Sequence, residues 1–377
     1  MIQLIAMGLI AAALFYLQKR LYHRLWKREL TVKLTFTSQA LLEGEEGQLL
    51  EIIENRKRLP LPMLKVKFQT DRALIFSQEQ GSRTTDQYYR NDVFHVNGGE
   101  RVTRTLPFIA GRRGYYQIRQ IDLIGSDLLM SCEMMLTVPT DQRLYVYPKP
   151  YQDEAFLTSL RELNGEVLSR HHWIEDPFEY RGIREYQSYD DMRTINWKAS
   201  AKTGEWKVNQ PGYTSLKTIR IFINLEDNGV LKKEEAVEAS IRIAAGICDF
   251  FLRQGVQVSC YCNSPDVQTG EILQIPAGAG SGRMTTIYRA LACLDTAQKP
   301  YDFATCFEEC LFHEAGGSLT CFIAPNQYAS FIALLNRYKE AGHRFIWYYP
   351  VWEETDPEIP EALRENTRIL HIRNSNL

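Results

Sequence analysis

The side chains best equipped for chemistry lie between Gly182 and Gln210, in the run GIREYQSYDDMRTINWKASAKTGEWKVNQ. Arg184, Glu185, Asp190, Asp191, Arg193, Asn196, Lys198 and Lys202 are interspersed there with Tyr186, Tyr189, Trp197 and Trp206. A solvated face does not need so many aromatic rings, and a core does not tolerate so many charges. The mixture predicts a partly buried polar network in which each charge finds a partner. Two uses are open to it. The favoured one is structural: Arg184, Glu185, Asp190, Arg193 and Lys198 pair among themselves, with Trp197 packed beneath. The other is an outward face that docks a partner, since Arg and Trp recur at interface hot spots. Asp190 and Asp191 could be paired for acid–base work, but adjacent carboxylates at a helix start are better explained as a cap at the positive end of the helix dipole.

Other chemistry has thinner support. Asn224-Leu225-Glu226-Asp227-Asn228 follows an apolar strand and reads as a turn and helix cap. Gly278-Ala-Gly280-Ser-Gly282 invites comparison with a phosphate loop, but position 283 is Arg and no Gly-Lys-Ser/Thr follows, so a loop without nucleotide is expected. His171 and His172 are adjacent and face different ways on any regular element, which argues against a shared metal. Cys260-x-Cys262 and Cys306-x-x-x-Cys310 lack a second pair at zinc spacing. There is no G-x-S-x-G, no H-E-x-x-H and no cysteine in a protease context. No cofactor and no metal is expected.

The elements that must position these residues follow from local rules. Ile183 to Gln187 alternates as a short strand, Asp190 or Asp191 is placed to cap a helix through Ala201, Gly204 ends that helix, and Trp206 to Gln210 returns to an extended form. From Thr218 the rhythm becomes strand and helix in turn: strands at Thr218 to Asn224, Val256 to Cys262, Leu319 to Ala324 and Phe345 to Tyr349, helices at Leu231 to Arg253, Arg283 to Leu294 and Gln327 to Ala341. That order predicts a mainly parallel sheet with helices on both faces, and ligands in such sheets bind beyond the carboxyl ends of the strands, here the 224–228 loop.

Upstream, Thr31 to about Pro150 reads as all-β. Val32, Leu34 and Phe36 alternate, as do Leu64, Val66 and Phe68, with Gly and Pro punctuation between, predicting a sandwich of seven or eight strands. Arg112-Arg113-Gly114-Tyr115-Tyr116 is expected to form a tight turn. Ile2 to Leu17 is apolar except for Gln3, and continuing to Trp26 makes a helix long enough to cross a bilayer. No positive charge precedes this run, which disfavours a signal peptide. Lys19, Arg20, Arg24, Lys27 and Arg28 follow it, so the positive-inside tendency puts the N-terminus outside and the rest in the cytoplasm, with membrane lipid as one partner. The expected organisation is therefore a transmembrane helix with a basic flank (1–28), an immunoglobulin-like β-sandwich (31–150), a linker carrying the charged aromatic run (151–215), and an α/β domain (216–377), a multidomain α+β chain.

Composition bounds the rest. The 377 residues hold 44 Lys and Arg against 46 Asp and Glu, a net charge of −2 that gives no global case for nucleic acid. Eight cysteines are too few for a disulfide scaffold of this length and read as reduced thiols on buried faces.

The run REYQSYDDMRTINWKASAKTG closely resembles the signature of the domain of unknown function 58 family, roughly R-E-Y-x-x-G-D-x-x-R-x-I-N/D-W-K-x-[ST]-A-R. Arg184, Glu185, Tyr186, Asp190, Arg193, Ile195, Asn196, Trp197, Lys198, Ser200 and Ala201 match; Tyr189 stands where Gly is usual and Lys202 where Arg is usual. Arg112 to Tyr116 followed by Asp127 is similar to the family's R-R-G-x-Y…D segment. The resemblance implies a von Willebrand factor A-like (Rossmann-type) C-terminal domain and a MoxR-type AAA ATPase as partner, in assembly or envelope maturation. It also implies a metal position: such domains usually carry D-x-S-x-S where this chain has Asn224, Glu226 and Asn228, a degenerate set in which the first charge is lost and a long carboxylate replaces a hydroxyl. The resulting expectation is a non-catalytic membrane-anchored scaffold. The alternative is a metal-dependent hydrolase working at the signature or at the 224–228 loop.

Overall fold

The computed structural model describes residues 2–76, 82–84, 87–169, 176–187, 190–212, 218–227, 234–312, 318–352 and 357–372. The chain divides into two compact units, Met1–Lys149 and Pro150–Leu377.

The first unit opens with α1 (Ile2–Leu25), one continuous helix of two characters. Its residues from Ile2 to Leu17 are exposed and almost all apolar, and it is long and apolar enough to cross a membrane. Four residues apart on one face, Tyr22 and the following Trp26 are instead buried, and both belong to the core of the β-structure that comes next.

That structure comprises β1 (Leu30–Phe36), β2 (Ala40–Leu42), β3 (Glu46–Asn55), β4 (Leu61–Asp71), β5 (Leu74–Phe76), β6 (Ser82–Thr84), β7 (Gln87–Val96), β8 (Arg101–Ala110), β9 (Gly114–Ser126) and β10 (Glu133–Tyr147). They form two sheets, ordered β1-β3-β8-β5 and β2-β10-β9-β4-β7-β6. Strand parity builds the interior: Val32, Leu34 and Phe36 from one sheet and Leu64, Val66 and Phe68 from the other all point into one apolar cluster. Among the described residues this unit has ten strands where seven or eight are expected; β2, β5 and β6 have three residues each, too few to show an alternation. Gly125 on β9 leaves the space that Trp26 fills, since a Cβ there would stand 2.7 Å from the indole.

The second unit contains α2 (Glu154–Ser169), β11 (Asp176–Glu185), α3 (Trp197–Thr203), β12 (Lys207–Gly212), β13 (Thr218–Ile223), α4 (Glu234–Arg253), β14 (Gln257–Pro265), β15 (Ile272–Gly278), α5 (Ser281–Ala292), α6 (Phe303–Phe312), β16 (Leu319–Ile323), α7 (Ala329–Glu340), β17 (Phe345–Val351) and β18 (Thr367–His371). The 151–215 stretch, read as a linker, opens on a helix of this unit's core: Phe156 and Leu160 on α2 are buried, and Phe156 meets Tyr348 edge-on at 5.6 Å. The large sheet runs β15-β14-β13-β16-β17-β18, parallel except for the antiparallel edge strand β15. Phe222, Phe322 and Trp347 pack on α6 and α7. Ile221 and Ile223 point to the opposite side of the sheet, the side of α4.

Candidate functional site

The charged aromatic run folds as β11, a short α3 and β12, with the two strands paired antiparallel from Glu185↔Lys207 to Gly182↔Gln210. Arg184 on β11 grips Asp190 through both guanidinium ends, Nη1 to Oδ2 at 2.6 Å and Nη2 to Oδ1 at 2.5 Å. The same carboxylate accepts the Gln187 amide at 2.8 Å, and the Arg184 hydrogen bonds hold its pKa below the usual range. Asp190 is therefore engaged by Arg184 and the Gln187 amide and, among the described residues, caps no helix. The expected helix from Asp190 or Asp191 is replaced by a single 3₁₀ turn at Met192–Thr194, and the true N-cap is Asn196, whose Oδ1 accepts the Ala199 amide at 3.0 Å. Asn196 Nδ2 also donates to Asn209 Oδ1 at 2.7 Å, tying cap to strand. Ser200 Oγ accepts the Lys207 amide at 2.8 Å, and Gly204 ends α3 in the left-handed region, φ 75°, as its position in the sequence required.

Of the remaining signature residues, Ile195 is buried and most of the others described turn outward. Glu185 is exposed and shares Lys207 Nζ with Glu205, each at 3.2 Å; these two hydrogen bonds, Glu205 first, raise the Lys207 pKa. Tyr186 is half-buried, 5.7 Å from the ring of Trp206. Asp191 and Lys198 are exposed. Trp197, expected beneath the network, is 66% exposed, and Trp206, 6.2 Å from it, is 51% exposed. The reason is the cap: with Asn196 starting the helix, Trp197 becomes its first residue, and no residue of the seven in α3 is buried. Tyr189 and the side chain of Arg193 lie outside the described residues.

The second candidate lies where β13 ends, at the point where the order of the sheet reverses between β13 and β16. Asn224 is fully buried, and its Oδ1 accepts both the Glu226 amide and Asn263 Nδ2 at 3.0 Å. Glu226 Oε1 accepts the Phe303 amide at 2.6 Å, so this carboxylate caps α6. Desolvation raises its pKa, partly offset by that hydrogen bond. Asn326 from the loop after β16 donates to Glu226 O at 2.8 Å. The described donors do not fit a divalent cation: Asn224 Oδ1 is taken by two donors, Glu226 points at a helix end, and among the described residues no three His, Cys, Asp or Glu converge. Asn228 lies outside the described residues, as do His171 and His172.

Elsewhere, Arg283 folds back over the glycine run, with its guanidinium against Gly278 and Nη2 donating to Ala277 O at 3.1 Å. The cysteines are free; Cys248, Cys260, Cys262, Cys293 and Cys321 are buried. Tyr116 Oη donates to Arg112 O at 2.7 Å, closing the 112–116 turn. One ionic group was missed. Inside the sandwich, Glu51, Arg90 and Asp92 are buried, with Arg90 and Arg104 both paired to Asp92 at 2.5 and 2.8 Å. Strand parity would have found it, because Glu51 shares the inward face of Leu49 and Ile53, and Arg90 and Asp92 that of Phe94.

No family model matches the chain, and no curated protein does. Among solved structures, a non-cellulosomal cohesin from Archaeoglobus fulgidus is similar at 13% identity and TM-score 0.21, over 31% of this chain and 91% of that one. The PapD-like domain 7 of human CEP192 is similar at 12% identity and TM-score 0.21, over 32% and 86%. A cohesin module from a Clostridium perfringens family 33 glycoside hydrolase is similar at 7% and TM-score 0.24, over 32% and 97%.

Proposed function

We propose that the chain is a non-catalytic, membrane-anchored adaptor of the domain of unknown function 58 type. Its second unit is a von Willebrand factor A-like module, and its partner is a MoxR-type AAA ATPase on the cytoplasmic side. One observation carries this reading. The ion pairs and caps of the signature engage one another and the backbone, while Trp197, Trp206, Met192 at 57% exposure and Ile183 at 53% stand outward, and Lys198 is exposed as well. Large apolar side chains held out on a cross-braced hairpin have the composition of a docking hot spot. The exposed apolar part of α1 and the basic residues after it support the anchor and its sidedness. Carboxylates bound to Arg184 and to the α6 amide are poorly placed for hydrolysis, which sets the enzymatic alternative behind.

A pull-down of the full chain from detergent-solubilised membranes tests the proposal. Recovery of an AAA ATPase of this class supports it; a clean preparation without one, or stoichiometric magnesium or manganese binding abolished by Glu226→Ala, removes it.

A further inference from the structure

The loop between β9 and β10 reads Asp127-Leu128-Leu129-Met130-Ser131-Cys132, and it carries three consecutive apolar residues in the open: Leu128 is 55% exposed, Leu129 60% and Met130 60%. Scattered exposed apolar residues are ordinary on a protein surface, but three together at the tip of a built loop are not. The loop is held in shape. Asp127 accepts hydrogen bonds from the Ser131 amide at 2.5 Å, Ser131 Oγ at 2.6 Å and the Cys132 amide at 3.2 Å, and the Met130 amide donates to Asp127 O at 3.0 Å. Met130 sits at φ 54°, a conformation that side-chain-bearing residues rarely adopt.

The loop is also pinned to α1. Gln18 Nε2 donates to Asp127 Oδ2 at 2.7 Å, at the place where the chain changes from exposed apolar residues of α1 to the buried Tyr22 and Trp26. A bilayer core of roughly 30 Å takes about 20 helical residues. In α1 the exposed apolar residues run to Leu17 and the charged Lys19 and Arg20 follow, so the apolar stretch gives way to charge at Gln18. The hydrogen bond to Gln18 therefore sets the loop at the depth where hydrocarbon gives way to headgroups. Basic side chains follow that level along the chain, Lys19, Arg20, Arg24, Lys27 and Arg28, the last paired with Glu29 at 3.5 Å, and Arg58 is exposed beside Gly98.

We propose that Leu128, Leu129 and Met130 form a second membrane contact, dipping into the interface of the bilayer that α1 crosses and holding the sandwich end-on against it. The occupant is lipid, because the apolar tip is continuous with the apolar helix and the charges around it complement anionic headgroups. The inference rests on the membrane anchor proposed above, and its test separates the two.

The full chain is reconstituted into nanodiscs of phosphatidylcholine and phosphatidylglycerol, with an environment-sensitive fluorophore carried by a non-natural amino acid. The label is placed in turn at Leu129, at Leu9 in the helix, and at Arg72, exposed in the turn after β4 at the end of the sandwich away from Gly125. The expected result is blue-shifted emission at positions 9 and 129, quenched by lipids brominated on the acyl chain, and water-like emission at 72. Lipid quenching at 9 with water-like emission at 129 overturns the loop contact and leaves the anchor standing. A blue shift at 129 that brominated lipid does not quench assigns the loop to a protein partner or a second copy and also overturns it. Water-like emission at position 9 overturns the anchor itself.

Discussion

Arg184 and Asp190 meet as a two-pronged ion pair, Nη1 to Oδ2 at 2.6 Å and Nη2 to Oδ1 at 2.5 Å, six residues apart across the end of a β-hairpin. The pair closes the connection from β11 into α3, because the Gln187 amide donates to the same carboxylate. Asp190→Asn is expected to keep one prong and lose the other. Hydrogen exchange at the Gln187, Asn196 and Lys207 amides should then accelerate while the β13–β16 ladder stays protected. Since Arg184 depresses the Asp190 pKa, the pair's contribution is intact above the ordinary carboxylate range and fades only as pH falls through the lowered value. Unchanged exchange at these amides at neutral pH would remove the brace from the account.

Glu51 makes the opposite prediction. Burial, then the charge of Asp92, pushes its pKa up to about 8 against the pull of Arg104 and Arg90, with a hydrogen bond to Asp92 adding to the rise. The folded chain thus holds a proton that the unfolded chain releases near the usual carboxylate value. Stability should decline as pH rises from that value toward 8, with a slope on the order of 1 kcal/mol per pH unit, and level off above it. Glu51→Gln should flatten the decline in urea unfolding of the sandwich. An equally steep decline in the variant would assign the slope to other groups.

Gly125 and Trp26 are matched in shape. Gly125→Ala puts a methyl group 2.7 Å from the indole and should destabilise the first unit by about 1–3 kcal/mol. Trp26→Ala should cost about 3–5 kcal/mol by the cavity it leaves. If the double variant loses less than the sum of the two, the coupling is established; strict additivity would contradict it.

Glu226 is read as a cap. Glu226→Ala orphans the Phe303 amide and should lower stability by about 1–2 kcal/mol, with faster exchange confined to the first turn of α6. A calorimetric titration of magnesium should be flat in both proteins. A magnesium isotherm in the parent that Glu226→Ala abolishes is the contrary result.

Much of this was legible beforehand where one period dominates. Val32, Leu34 and Phe36 alternate and are inward, and Glu234 to Arg253 is the helix that the spacing of Val237, Ile241, Ala244, Cys248 and Phe251 indicates. What was not legible turns on competition between polar groups. Asp190 is a good cap by type, but Arg184 claims it first, and the helix starts six residues later at Asn196. That shift turns Trp197 from an expected buried wedge into an exposed ring. Glu226 looked like a poor metal ligand because it is long; its length is what lets it reach the Phe303 amide, a partner 77 residues away that spacing alone does not reveal.

The outward face of the braced hairpin is proposed to dock an AAA ATPase. The most direct measurement is the affinity of a purified MoxR-type ATPase for the full chain in nanodiscs, for the parent and for Trp197→Ala. Binding at a fixed ratio, weakened about tenfold or more by that single change, is the predicted result. No binding to the parent, or equal affinity for the Trp197→Ala, Trp206→Ala and Lys198→Glu variants, contradicts it.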